Sequence, residues 1–402
     1  MGEHSIQHTE IKTYTVTKNN KLLAFILMGV GLASIGYGFA ADPLREWANL
    51  LLSNFYLMAI ALGSLFFLAV QYVAEVGWSA QLKRIMMANS MYLIPATILM
   101  ILIFVFGHHD LYHWTHHDLV DKASPHYDKI IDGKSGYLNV PFFMIRLVLY
   151  AIIWAGSALL LRREALREDL NGGTVHYFKS SKISATFLVL FAVTSSTSAW
   201  DIIMSIDAHW FSTLFGWYVF AGMFVSALTV ITMITIYLKK SGYLPNVNES
   251  HLHDLGKFMF AFSIFWTYLW FAQFMLYWYA NLPEEVTYFI ERVDHFRFLF
   301  WLNPIINFIF PFLVLMTRDA KRYSGWVVTA GVVMLFGHWL DLYLMIMPGT
   351  VGHEHAHFGI PEFGTLAFFA GLFIYVMFTA LSKAPIVPKN HPMLDESYHH
   401  HI

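Results

Sequence analysis

Asp201, Asp207 and His209 fall within nine residues of one another, inside a segment (194–218, TSSTSAWDIIMSIDAHWFSTLFGWY) that joins two apolar runs. Each run is long enough to cross a membrane. Thr194, Thr197 and Ser198 form a hydroxyl stripe at helical spacing below Asp201. Carboxylates and an imidazole can take up and release protons, and hydroxyls can order water between them. Inside a membrane each ionisable group costs roughly 2.5–3.5 kcal/mol at a helix centre, so such groups face a cavity, a partner or a path.

Four other segments carry polar groups to a similar depth. Counting about 1.5 Å per helical residue, Arg146 lies about five residues inside its span. Asp201 and Asp341 both fall in the outer third of theirs. His338 sits one turn below Asp341 on the same face. Gln273 reaches the same level, Glu284 and Glu285 follow just outside, and Asn303 and Asn307 descend from that side. The expectation is one outer-facing polar cluster of Arg146, Asp201, His338 and Asp341, with Asp207 and His209 at its mouth. Opposite charges a few ångströms apart would offset desolvation there. The alternative is a structural ion-pair cluster that locks helices together.

The residues below that level are more ambiguous. Glu75 either ends its span as an interfacial residue or marks the inner end of a proton path. The stripe Thr194, Thr197 and Ser198 either carries water or joins helices by hydrogen bonds. Trp266, Trp270 and Phe274 lie in a densely aromatic span, where packing is the default and flanking a quinone ring is the alternative. Outer histidines (His108, His109, His113, His116, His117, and His353, His355, His357 with Glu354) have metal-ligand chemistry. Hydrogen-bonded or solvated loop histidines are the commoner case, so no metal is assigned. A haem held by two histidines needs partners at matched depth, and only His338 lies inside a span.

The elements that hold these residues follow from composition. Hydrophobic residues make up 57% and charged residues 13%, about half the charged share of a soluble protein. Ten runs meet the length needed to span hydrocarbon: 21–41, 54–74, 85–107, 141–162, 182–205, 212–238, 256–280, 296–316, 324–346 and 362–382. An all-α integral membrane bundle is therefore expected, with no β-barrel pattern. Residues 1–20 and 383–402 form tails, and the first apolar run is read as a retained span. Eighteen basic residues fall on the side of both tails and six on the other, which places both termini in the cytoplasm. The long outer loop 108–140 is expected to be functional or a docking surface. The inner loop 163–181 reads as a solvated connection. The absence of cysteine excludes Cys-ligated clusters and Cys-attached haem on this chain. No basic run suggests nucleic acid.

The segments AWDIIMSIDAHWFSTLFGWYVFAG, WFAQFMLYWYANLPEE and GHWLDLYLMIMPG resemble the large membrane subunits of alternative complex III, in the polysulfide-reductase NrfD-type family. Length and motif wording sit nearer the F-type than the C-type branch. The resemblance implies two four-helix bundles, spans two to five and six to nine, flanked by helices one and ten, in a bacterial inner membrane. It implies partners: a homologous quinol-binding membrane subunit, and outer-side iron–sulfur and multihaem cytochrome c subunits. Asp201, Asp207 and His209 would fall on the family's outer junction, with His338 and Asp341 on the facing ninth helix. The expected function is a cofactor-free subunit, in contact with lipid or menaquinone, that moves protons linked to quinol oxidation. Direct menaquinol oxidation, a structural anchor and secondary transport are the alternatives, and broken helices paired at midplane, the mark of transport, are not evident.

Overall fold

A computed structural model of the protein describes residues 12–401. Residues 1–11 of the expected N-terminal tail lie outside that range. Among the described residues, ten helices are long and apolar enough to cross a membrane: α1 Lys18–Ala41, α2 Pro43–Val73, α3 Ala80–Leu111, α4 Val140–Asn171, α5 Val175–Ile202, α6 Phe215–Lys240, α7 Glu249–Ala280, α8 Arg297–Leu315, α9 Ser324–Thr350 and α10 Ile360–Ser382. Apolar segments of this length satisfy their backbone hydrogen bonds internally, which leaves the helix as the economical form. Polar side chains punctuate them. Asp42 accepts from Arg45 N and Pro43 occupies the first turn of α2, while Asn139 caps α4 and Asn248 caps α7. Pro is tolerated at such a start because that N–H has no intrahelical partner.

Helices α2, α6 and α9 are the most enclosed. Helix α2 packs on α3 and α5, and α4 packs on both of these, closing one ring. Helices α6, α7, α8 and α9 close a second ring, and α2 meets α6 and α9 between the two. Helix α1 runs along α10, which also touches α2 and α3. Their seam is small: a Cβ at Gly31 would lie 2.5 Å from the backbone nitrogen of Phe368, and one at Gly371 would lie 2.8 Å from Ala24 O. Small residues of this kind let membrane helices approach closely.

One end of the bundle carries the 108–140 loop and is called here the loop face. The other carries both chain ends and is called the terminal face. Several boundaries depart from the expected ones. Helix α2 begins at Pro43 rather than 54, because Arg45 and Glu46 are buried against α10 instead of solvated: Arg45 Nη2 donates to Glu362 Oε2 at 2.6 Å, and Thr365 Oγ1 donates to Glu46 Oε1 at 2.7 Å. The segment 163–181 is not a loop. Helix α4 runs on to Asn171, only Gly172 and Gly173 adopt left-handed φ, and α5 starts at Val175. Two of its charges are paired: Asp169 with Arg84, and Arg167 with Glu164 at 2.9 Å. The 108–140 loop holds short helical turns at His113–Thr115, His117–Leu119 and Lys129–Lys134.

The C-terminal tail lies across the terminal face. Lys389 N donates to Asp169 Oδ1 at 2.9 Å, and His391 Nε2 is hydrogen-bonded to the buried Lys83 Nζ at 2.7 Å. Further on, Gln81 Nε2 donates to Ser397 Oγ at 3.0 Å, and His400 Nε2 meets Asp254 Oδ2 at 2.6 Å.

Candidate functional site

The expected cluster is divided into three groups. The first joins α4 to α5. Arg146 Nε donates to Asp201 Oδ2 at 2.8 Å and Nη2 to Oδ1 at 3.0 Å, and Tyr150 OH donates to Oδ2 at 2.6 Å. The guanidinium also sits 3.9 Å from the Tyr137 ring centroid. Burial, then the charge of Asp201, pushes the Tyr137 phenol up to about 12. One further rung lies below: Trp154 stacks on Tyr150 and donates to Thr194 Oγ1 at 3.0 Å. Arg146, Tyr150 and Trp154 are spaced four residues apart, so a single face of α4 carries all three.

The hydroxyl stripe serves its own helix. Thr194 donates to Leu190 O at 2.9 Å, Thr197 to Val193 O at 3.0 Å and Ser198 to Ser195 O at 3.0 Å. Only Thr194 also joins helices, by accepting from Trp154 of α4. Glu75 stands exposed beyond the end of α2, with φ of 51°. No contact among the described residues joins it to that stripe.

The second group surrounds Asp341 on α9. Tyr218 of α6 donates to Oδ1, Asn303 of α8 donates to the same oxygen at 2.7 Å, and Trp266 of α7 donates to Oδ2 at 3.0 Å. Asn307 Nδ2 in turn donates to Asn303 Oδ1 at 2.6 Å. A π-helical turn at Ile305–Ile309 follows Pro304, which lies inside the helix. Asp341 is 3% exposed, and none of its hydrogen-bond partners is a cation. One turn below, His338 is 2% exposed, and both of its ring nitrogens lack a partner among the described residues. His338 and Asp341 line a cavity of about 10 Å³, close to the room one water needs.

The third group is the mouth. Asp207 is paired with Arg292 at 3.2 Å, and Arg292 Nε also donates to Leu344 O at 2.7 Å. His209 Nε2 meets Asp128 Oδ2 at 2.6 Å, which holds that carboxyl below its usual range. Lys134 Nζ donates to Ala208 O at 2.5 Å. Asp207, His209 and Arg292 border a cavity of about 840 Å³ on the loop face, together with His109, His113, His116 and Glu291. Burial, then the neighbouring His116 and His209, pushes His113 below the ordinary imidazole value.

The spaces are linked by shared walls. Tyr288 and Arg292 line both the large cavity and a space of about 20 Å³ that also contains Gln273 and Asp341. Asp341 and Met345 line both that space and the one beside His338. Gln273 is buried there, with its Nε2 unpartnered among the described residues. The second and third groups are thus joined, whereas Arg146 and Asp201 border none of these three spaces.

The aromatic residues of α7 pack. Trp266 is committed to Asp341, and Trp270 stacks on Phe274, with Phe300 and Trp301 around both. The loop histidines fan out: His353 to Glu291, His355 to Asp42 and His357 to Arg45. Sequence reading missed Tyr150, Tyr218 and Arg292. Tyr and Trp carry no charge to stand out from an aromatic-rich span, and Arg292 reads as a loop residue. Tyr150 alone had a signal, four residues beyond Arg146.

No protein-family model matches the chain, and no curated protein is significantly similar to it.

Proposed function

We propose that the chain is a membrane subunit of a quinol-oxidising electron-transfer complex, of the alternative complex III type. In this reading it binds no redox cofactor and moves protons linked to quinol oxidation in partner subunits. Menaquinol is the expected quinol, and iron–sulfur and multihaem cytochrome c subunits are the expected partners on the loop face. The bacterial inner membrane is what the sequence resemblance implies, and the distribution of basic residues supports cytoplasmic termini. The two closed rings of α2–α5 and α6–α9, with α1 and α10 beside them, suit the layout that the sequence resemblance implies.

One observation carries the proton reading: the chain of shared walls from the 840 Å³ cavity through Arg292 and Tyr288 to Asp341 and His338. A buried carboxyl without a cation, next to an imidazole with both nitrogens free, can accept and return a proton. Asp201, expected from sequence to exchange protons, has a different setting. Its two parallel hydrogen bonds from Arg146 support a positioning role, and the exchanging group is Asp341. Direct quinol oxidation at Trp266, Trp270 and Phe274 is the weaker reading, because the space next to Trp270 is about 20 Å³ and ligand pockets run to hundreds.

The test is the proton-to-electron ratio of the purified complex in liposomes. Asp341→Asn should lower that ratio while leaving assembly intact. An unchanged ratio in an assembled variant would rule out the role of Asp341.

A further inference from the structure

Outside the proton route, at the rim of the large cavity, three ligand-type side chains converge from two segments. Glu291 and His295 lie four residues apart, Glu291 on the short helix Pro283–Asp294 and His295 at its end. They therefore share a face. His353 comes from the turn that follows α9, where Gly352 has φ of 69°. His353 Nδ1 is 3.3 Å from Glu291 Oε1, and His295 Nε2 is 3.8 Å from Glu291 Oε2. One ligand atom from each of the three residues lies within 4.8 Å of the others.

Two features distinguish this trio from a surface ion pair. The imidazole rings lie face to face, with centroids 3.8 Å apart and planes 9° apart. An imidazole lone pair lies in its ring plane, so a shared ion draws one ring out of this stack while both stay within reach of Glu291. The carboxylate is also not claimed by a fixed cation: its neighbour Arg292 turns away to Leu344 O, Met345 O and Asp207. Two ligands about 2.0–2.1 Å from a tetrahedral ion stand roughly 3.3–3.4 Å apart, and the His353–Glu291 separation is 3.3 Å.

We infer that Glu291, His295 and His353 form a binding site for a divalent transition metal of the zinc class. Two imidazoles and one carboxylate fill three positions of a tetrahedral ion and leave the fourth for water. Glu291 lines the 840 Å³ cavity, so that fourth position opens toward it. The bound ion would clip the Pro283–Asp294 helix to the end of α9, two of the elements that wall the cavity. The nearby histidines go elsewhere: His355 to Asp42, His357 to Arg45, and His116 against His109 with ring centroids 4.0 Å apart.

The test is zinc binding by the complex purified through a histidine-free handle, stripped with chelator and titrated with Zn²⁺ against a competing indicator. Wild type should bind one more equivalent of zinc than His295→Ala, His353→Ala or Glu291→Gln. His116→Ala and His355→Ala should bind as wild type does. Co²⁺ should give tetrahedral absorption bands that the same three variants lose. Equal zinc in wild type and the three variants, including none in any of them, overturns the site. Loss in His116→Ala with retention in His295→Ala overturns it too. All five positions are on the loop-face surface, and size-exclusion profiles confirm that each variant is folded before titration.

Discussion

Arg146 and Asp201 meet through two parallel hydrogen bonds, 2.8 and 3.0 Å long, with both side chains nearly excluded from solvent. The pair ties α4 to α5, and Tyr150 adds a third bond to the same carboxylate. Removing one partner of a buried ion pair leaves the other uncompensated, at a cost of about 3–5 kcal/mol. Asp201→Ala and Arg146→Met should each lower the denaturation midpoint in detergent strongly. The double variant Arg146→Met with Asp201→Leu should recover much of the loss. A midpoint unchanged by either single substitution would contradict the structural role.

The strapped C-terminal tail should respond to acid. Burial, together with the cations of Lys83 and Arg84, pushes His391 down to about 2 from its ordinary 6.5. Docked His391 stays neutral, while an undocked one takes up a proton near 6.5. Docking stability is therefore fully present above about 6.5 and declines as pH falls toward 2, by up to about tenfold per unit. Limited proteolysis of 383–401 should accelerate when pH is lowered from about 7.5 to about 5.5. His391→Phe should remove most of that dependence. Equal cleavage rates in wild type at both pH values would count against the docking account.

The α1–α10 seam should not tolerate added bulk. A Cβ at Gly31 meets the backbone of Phe368 at 2.5 Å, and backbone cannot turn aside as a side chain can. Gly31→Leu should detach α1 from α10, reported by faster proteolysis near residue 42. Gly29→Leu, whose Cβ would meet nothing within 4 Å, should behave as wild type.

Orientation can be read directly, because the chain has no native cysteine. Single cysteines at Ala123 and Lys383, both exposed, should react with an impermeant maleimide from opposite sides of the membrane. The basic-residue bias predicts that only Ala123→Cys is labelled in intact cells. Labelling of Lys383→Cys alone would invert the topology.

The ten spans were legible because uncharged apolar runs longer than eighteen residues have few other fates. Their ends were harder where charges are buried in pairs. Arg45, Glu46, Arg84 and Asp169 look like solvent residues in a hydropathy count, yet each finds its partner far along the chain. The positions of Arg146, Asp201 and Asp341 along their helices could be placed by counting turns. Their division between two helix rings could not, since height along a helix says nothing about which neighbour it faces. The hydroxyls of Thr194, Thr197 and Ser198 pointed equally to a path or to packing until their acceptors were seen in their own helix. The Glu291–His295–His353 trio was hidden by the 57 residues between its helix and its turn.

The central claim is that the Asp341 carboxyl gains and loses a proton during turnover. Redox-triggered infrared difference spectroscopy of the complex observes this through the carbonyl stretch of a protonated carboxylic acid. Wild type should show such a band changing between reduced and oxidised quinol, and Asp341→Asn should abolish it while Asp207→Asn retains it. The same band persisting in Asp341→Asn would contradict the account.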